Sequence, residues 1–128
     1  MDYIKVVTDL ILADTTVPPG LNYQEVIDYL EPLFKAVGFE TQKIHIPSEY
    51  ADGNEGRVNL LAYRHASGKP RLIFYAHIDV VPAQKWEAFS PKVESGRIYG
   101  RGAADMKGAI AALLLGLEAV TQKPLRYD

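Results

Sequence analysis

The chain has 128 residues, the size of one ordinary domain, and 48% of them are hydrophobic, enough to bury a real core. Its 14 Lys and Arg nearly balance 16 Asp and Glu with no basic block, which argues against a nucleic-acid partner. There is no cysteine, so disulfides are excluded and any metal site must be built from His, Asp, Glu or water.

The start, Met1-Asp2-Tyr3-Ile4-Lys5, lacks a basic stretch followed by an apolar one, and no apolar run approaches the ~20 residues that span a bilayer. A soluble cytoplasmic protein with no membrane contact is the expectation. From Tyr3 to Ala13, Ile4, Val7, Leu10 and Ile11 recur at three- and four-residue steps and predict an amphipathic helix. Thr15-Thr16-Val17-Pro18-Pro19-Gly20 ends it. Asn22, with Glu25 three positions on, predicts a capping box at the start of a second helix that closes at Gly38, and Pro32 predicts a kink or break inside it.

Phe39 to Ile46 reads as a half-exposed strand in which Ile44 and Ile46 alternate with Lys43 and His45. Two more strands follow, Val58 to Tyr63 and Arg71 to Ala76, joined through Ser67-Gly68-Lys69-Pro70; the second is apolar on both faces and is expected to be central. Ser95-Gly96 suits a tight turn between Lys92–Glu94 and Arg97–Tyr99. A final Ala- and Leu-rich helix spans Met106 to Val120. This alternation predicts an α/β fold, a mixed β-sheet flanked by helices, with no repeat or linker. Thr121 to Asp128 leaves the last helix with no strand after it, so a truncated domain is expected, exposing an apolar patch near Leu113, Leu114 and Leu117 or along the central strands.

Two groups of residues carry chemistry. His77-Ile78-Asp79-Val80-Val81-Pro82 lies just past the apolar strand, at the edge where open α/β sheets bind ligands. In extended chain His77 and Asp79 share a side, where a carboxylate accepts one imidazole N–H and leaves the other nitrogen for a metal. Alone, H-x-D is equally what an ordinary satisfied histidine presents. Gly100-Arg101-Gly102-Ala103-Ala104-Asp105-Met106-Lys107-Gly108 precedes the last helix, and Asp105 alone could be its N-cap. A nucleotide loop is excluded by Asp105 standing where G-x-G-x-x-G needs its third glycine, and no G-K-[ST] follows.

Together the two groups resemble the family of metal-dependent aminoacyl hydrolases and metallopeptidases that includes acetylornithine deacetylase, succinyl-diaminopimelate desuccinylase, aminoacylase and glutamate carboxypeptidases. The resemblance runs through Ala76 to Pro82, Trp86, Phe89-Ser90-Pro91 and Ile98 to Gly108, and more loosely through Thr16 to Gly20 and Gly38-Phe39-Glu40. Ala76 stands where many members have Gly. The resemblance implies a zinc-exopeptidase-like catalytic domain and two divalent ions, zinc first, with cobalt or manganese as substitutes. His77 would ligate one ion, Asp105 would bridge both, and Asp79 would act in catalysis by orienting His77. It further implies a cis peptide bond after Asp105, hydrolysis of an N-acyl amino acid or small peptide, and a homodimeric parent protein.

In the family a Glu-Glu pair, a further carboxylate and a late His complete the site, and a smaller dimerisation and lid domain is inserted downstream. None of these lies in residues 1–128. This chain is therefore expected to be the N-terminal portion of such a catalytic domain, inactive alone and binding metal weakly or not at all, with a non-catalytic binding module of the same fold as the alternative. Trp86 and Phe89 are expected to pack, Arg101 and Lys107 to be solvated surface charges with contact to substrate as the alternative, and His45 and His65 to be ordinary exposed residues.

Overall fold

A computed structural model describes the chain except for residues 52, 54, 55, 65–67, 85, 122, 124–126 and 128. His65, the start of the turn at Ser67 and most of the C-terminal tail thus lie outside the described residues. Helix α1 (Tyr3–Leu12) begins where the Asp2 carboxylate accepts the Lys5 amide at 3.0 Å, and it buries Val6, Val7, Leu10 and Ile11. Helix α2 (Tyr23–Ala36) buries Tyr23, Val26, Ile27 and Leu30 and ends at Gly38, whose φ of +85° reverses the chain. It continues past Pro32 without a break, because Val26 and Leu30 before the proline and Leu33, Phe34 and Val37 after it all pack on one core. The capping box does not form. Asn22 is left-handed, with φ +53°, and its side-chain amide donates instead to the Ala13–Thr15 segment, at Asp14 O, 2.8 Å away.

Strands β1 (Glu40–His45) and β2 (Val58–Tyr63) pair antiparallel, from Glu40 opposite Tyr63 to His45 opposite Val58. The alternation of β1 is inverted relative to expectation. Thr41 and Lys43 are half-buried and Ile44 is exposed, because α2 presents Asp28 and Glu31 to this strand, and Lys43 Nζ meets their carboxylates at 2.6 and 2.7 Å. His45 is exposed, as expected. Strands β3 (Lys92–Glu94) and β4 (Arg97–Tyr99) form a second antiparallel pair about Ser95-Gly96, both with positive φ as a type I′ turn requires. Helix α3 (Lys107–Val120) packs against α1, and Ile110, Ala111 and Leu114 complete the core with α1 and α2.

The segment 71–76 differs from expectation. Among the described residues it pairs with no strand, and Leu72, Ile73, Phe74 and Tyr75 are 56%, 83%, 60% and 87% exposed. A central strand is buried by neighbours on both edges and helices on both faces, and the described residues supply neither. The expected apolar patch thus lies along this segment, whereas Leu114 is fully buried and Leu113 and Leu117 are half-buried. The fold is α/β, with two small antiparallel sheets and one parallel bridge, Thr16 to Val80, among the described residues. No helix among the described residues is long and apolar enough to cross a membrane.

Candidate metal centre

The first loop leaves the unpaired 71–76 segment and is fastened at its far end. Val80 N donates to Thr15 O at 3.1 Å, Val17 N donates to Val80 O at 3.0 Å, and the buried Thr15 hydroxyl donates to Ile78 O at 2.6 Å. These bonds hold His77 and Asp79 beside the end of α1. His77 Nδ1 lies 3.1 Å from the Asp79 carbonyl oxygen and 3.4 Å from its Oδ1, so backbone and side chain of this residue face the same ring nitrogen.

The second loop joins β4 to α3 by tight turns. Arg101 N donates to Ala88 O at 2.7 Å, and Lys107 N donates to Gly102 O and Asp105 O, each at 3.1 Å. Glycine is required at three positions here, the first being Gly100, where a Cβ would lie 2.4 Å from Ile11 Cγ2. A Cβ on Gly102, where φ is +84°, would lie 2.7 Å from Lys107 Cδ, and one on Gly108 would lie 2.1 Å from Ala103 O. The peptide bond after Asp105 is not among the cis bonds of the described residues, which are Val17-Pro18 and Pro18-Pro19. The chain turns instead through Met106, with φ +68°.

The two loops meet at their side chains. His77 Nε2 and Asp105 Oδ1 are 3.6 Å apart, although 28 positions separate them in the sequence. Two donors bound at about 2.0–2.2 Å to a single tetrahedral ion stand roughly 3.3–3.6 Å apart, so the spacing fits a shared cation. The Asp105 side chain is well exposed, 79% of it accessible. The donor set is nevertheless short: among the described residues no group of three or more His, Cys, Asp or Glu could hold a metal ion. Glu118, the next carboxylate along the chain, is committed elsewhere, accepting the Tyr3 hydroxyl and lying 3.5 Å from the N-terminal ammonium. Two open depressions of about 410 and 490 Å³ are lined by Asp9, Asp14, Glu25 and Tyr29 among others, and by Trp86, Lys92 and Tyr99 among others. Neither includes His77 or Asp105.

Arg101 and Lys107 are not solvated surface charges. Arg101 is half-buried, donates from Nη2 to Pro82 O at 3.2 Å and lies 5.4 Å over the Trp86 ring, which is itself half exposed. Lys107 is fully buried, donates to Ala13 O at 2.8 Å and lies 5.8 Å over the Phe89 ring. Burial pushes its ammonium down to about 8, with Asp14 pulling the other way. A signal for Lys107 was present in the sequence: positions 107, 110, 111 and 114 fall on one helical face, and the other three are apolar.

Residues 73–127 match the family model described as peptidase family M20/M25/M40. Succinyl-diaminopimelate desuccinylase of Beijerinckia indica subsp. indica is 49% identical over 101 residues, covering 73% of this chain and 25% of that protein. The protein of the same name from Rickettsia canadensis is 36% identical over 129 residues, 95% of this chain and 32% of its own length. In fold, the chain resembles an M20 family metallo-carboxypeptidase, Sso-CP2, from Sulfolobus solfataricus, with TM-score 0.77, 23% identity, and coverage of 95% of this chain and 28% of that one. It also resembles human carnosine dipeptidase 1, with TM-score 0.74, 19% identity, and coverage of 99% and 29%. The chain therefore spans about a quarter to a third of the length of the relatives it matches. Motif, family match and fold agree, and the chain belongs to peptidase family M20/M25/M40.

Proposed function

We propose that the parent protein is a two-metal hydrolase that cleaves the amide bond of an N-acyl amino acid or small peptide, and that this chain contributes one part of its metal centre. The observation that supports this reading is the 3.6 Å approach of His77 Nε2 to Asp105 Oδ1 from two loops that lie 28 positions apart in the sequence. His77 and Asp105 would hold the metal, Asp105 as the carboxylate shared between two ions, and Asp79 would hold the imidazole by its Nδ1 side. Zinc is the preferred ion on this donor set of nitrogen and carboxylate oxygen, with cobalt or manganese as substitutes. Bound divalent ions supply Lewis-acid activation of the amide carbonyl and of water.

The chain's own residues do the positioning. The Thr15 and Val80 bonds keep the His77 loop extended, and Gly102 and Gly108 let the Asp105 loop close against α3. The remaining ligands, the general base and a dimerisation and lid domain belong, on this reading, to the rest of a homodimeric cytoplasmic parent. Residues 1–128 by themselves are then inactive. The curated relatives are desuccinylases, which favours an N-acyl substrate for the parent.

The test is to express the parent reading frame, load it with zinc or cobalt, and assay N-acyl amino acids and dipeptides. Hydrolysis that is lost in His77→Ala and in Asp105→Ala is the expected result. A metal-loaded parent without amidase activity would favour a binding module instead.

A further inference from the structure

We propose that Lys107 is the positioning residue that sets where Asp105 meets His77, acting through the segment 13–17 as a shared spacer. The role is distinct from metal ligation, and its relevance to catalysis rests on the metal-centre reading above.

Three observations place it. First, the segment 13–17 is bonded to the His77 loop at three points: Thr15 Oγ1 to Ile78 O, Val80 N to Thr15 O and Val17 N to Val80 O. Second, the same segment receives the Lys107 ammonium, which donates to Ala13 O at 2.8 Å from a side chain with no exposed surface. Third, Lys107 closes the Asp105 loop twice over. Its backbone amide bonds Gly102 O and Asp105 O, and its stem fills the space under Gly102 that a Cβ would otherwise occupy. One residue thus fastens the Asp105 loop to the element on which the His77 loop is hung.

A buried ammonium is unfavourable unless it is bonded, and an aliphatic residue would fill the same space at lower cost. The only polar atom the Lys107 side chain bonds among the described residues is the Ala13 carbonyl. That carbonyl belongs to the residue after α1, whose own amide is already used to close the helix on Asp9 O. The bond therefore fixes separation between two loops rather than completing a helix. The ammonium also lies over the Phe89 ring, 5.8 Å from its centroid.

The experiment is nuclear Overhauser contact between the His77 ring protons and Asp105 in the metal-free 128-residue chain, compared with Lys107→Met, which keeps an unbranched stem and removes the donor. Ile110→Ala, on the same helix, is the control for general loss of core stability. The contact is expected in the native chain and in Ile110→Ala, and it is expected to fall at least fivefold in intensity in Lys107→Met while the helical circular dichroism signal persists. An undiminished contact in Lys107→Met, or an equal loss in Ile110→Ala, overturns the proposal. Should Lys107→Met fail to fold, Lys107→Gln, with a shorter polar stem, is read by the same criterion. Zinc added to the parent protein distinguishes the two ideas: no zinc response at His77 there defeats the metal reading, whereas the contact measured without metal in the 128-residue chain still decides the role of Lys107.

Discussion

Asp79, His77 and Glu31 illustrate how single side chains divide between function and stability. Asp79 lies 3.4 Å from the His77 ring nitrogen that faces away from Asp105, so Asp79→Asn is expected to lower zinc affinity or parent activity about 10- to 100-fold, as loss of an orienting partner typically does. Unchanged affinity would remove Asp79 from the site. Glu31 has no such role: Lys35, then Lys43 and Thr41, hydrogen-bond its carboxylate and hold it down at about 2. A depressed carboxyl contributes stability that is present above its ordinary value of 4.5 and is lost as pH falls through the folded value. Thermal melts from pH 5 to pH 2 are expected to show a steeper loss for the native chain than for Glu31→Gln, and parallel curves would refute the assignment. His77 and Asp105 were legible in the sequence because motif spacing names them. Arg101 was not, since composition treats long cations as surface and only the tertiary contacts show it turned inward, whereas Lys107 carried a signal, its place on one helical face with Ile110, Ala111 and Leu114, that the surface expectation overrode.

At the scale of elements, the sequence located most of them and erred on which faces they bury. Period two in β1 was correct, but alternation alone does not say which side meets the core. The carboxylates of Asp28 and Glu31 on α2 decided it in favour of Lys43, leaving Ile44 outside. In the same way Asn22 had the right identity for a cap and the wrong partner, because the adjacent 13–17 segment offered the Asp14 carbonyl. Helix α3 gives the sharpest stability contrast. Leu114 is fully buried against α1 while its neighbour Leu115 is about half exposed. Urea unfolding is expected to place Leu114→Ala about 2–5 kcal/mol below the native chain and Leu115→Ala within about 0.5 kcal/mol of it. Equal effects would mean that α3 is rotated from the position described.

For the molecule as a whole, the α/β class and the convergence of the two motifs followed from the sequence, whereas the state of the 71–76 segment did not. Its composition is that of a buried strand, but burial depends on neighbours that periodicity within six residues cannot supply. The consecutive exposed residues Leu72 to Tyr75 form an open apolar edge, a setting that promotes association. Sedimentation velocity is expected to show concentration-dependent self-association that Ile73→Lys with Tyr75→Lys suppresses; association unchanged by these substitutions would assign it to another surface. The central claim is that His77 and Asp105 share a cation, and zinc titration of the chain followed by nuclear magnetic resonance tests it most directly. The account predicts weak, saturable shifts centred on the His77 ring and Asp105 that vanish in His77→Ala and Asp105→Ala; shifts centred on His45, or surviving both substitutions, would contradict it.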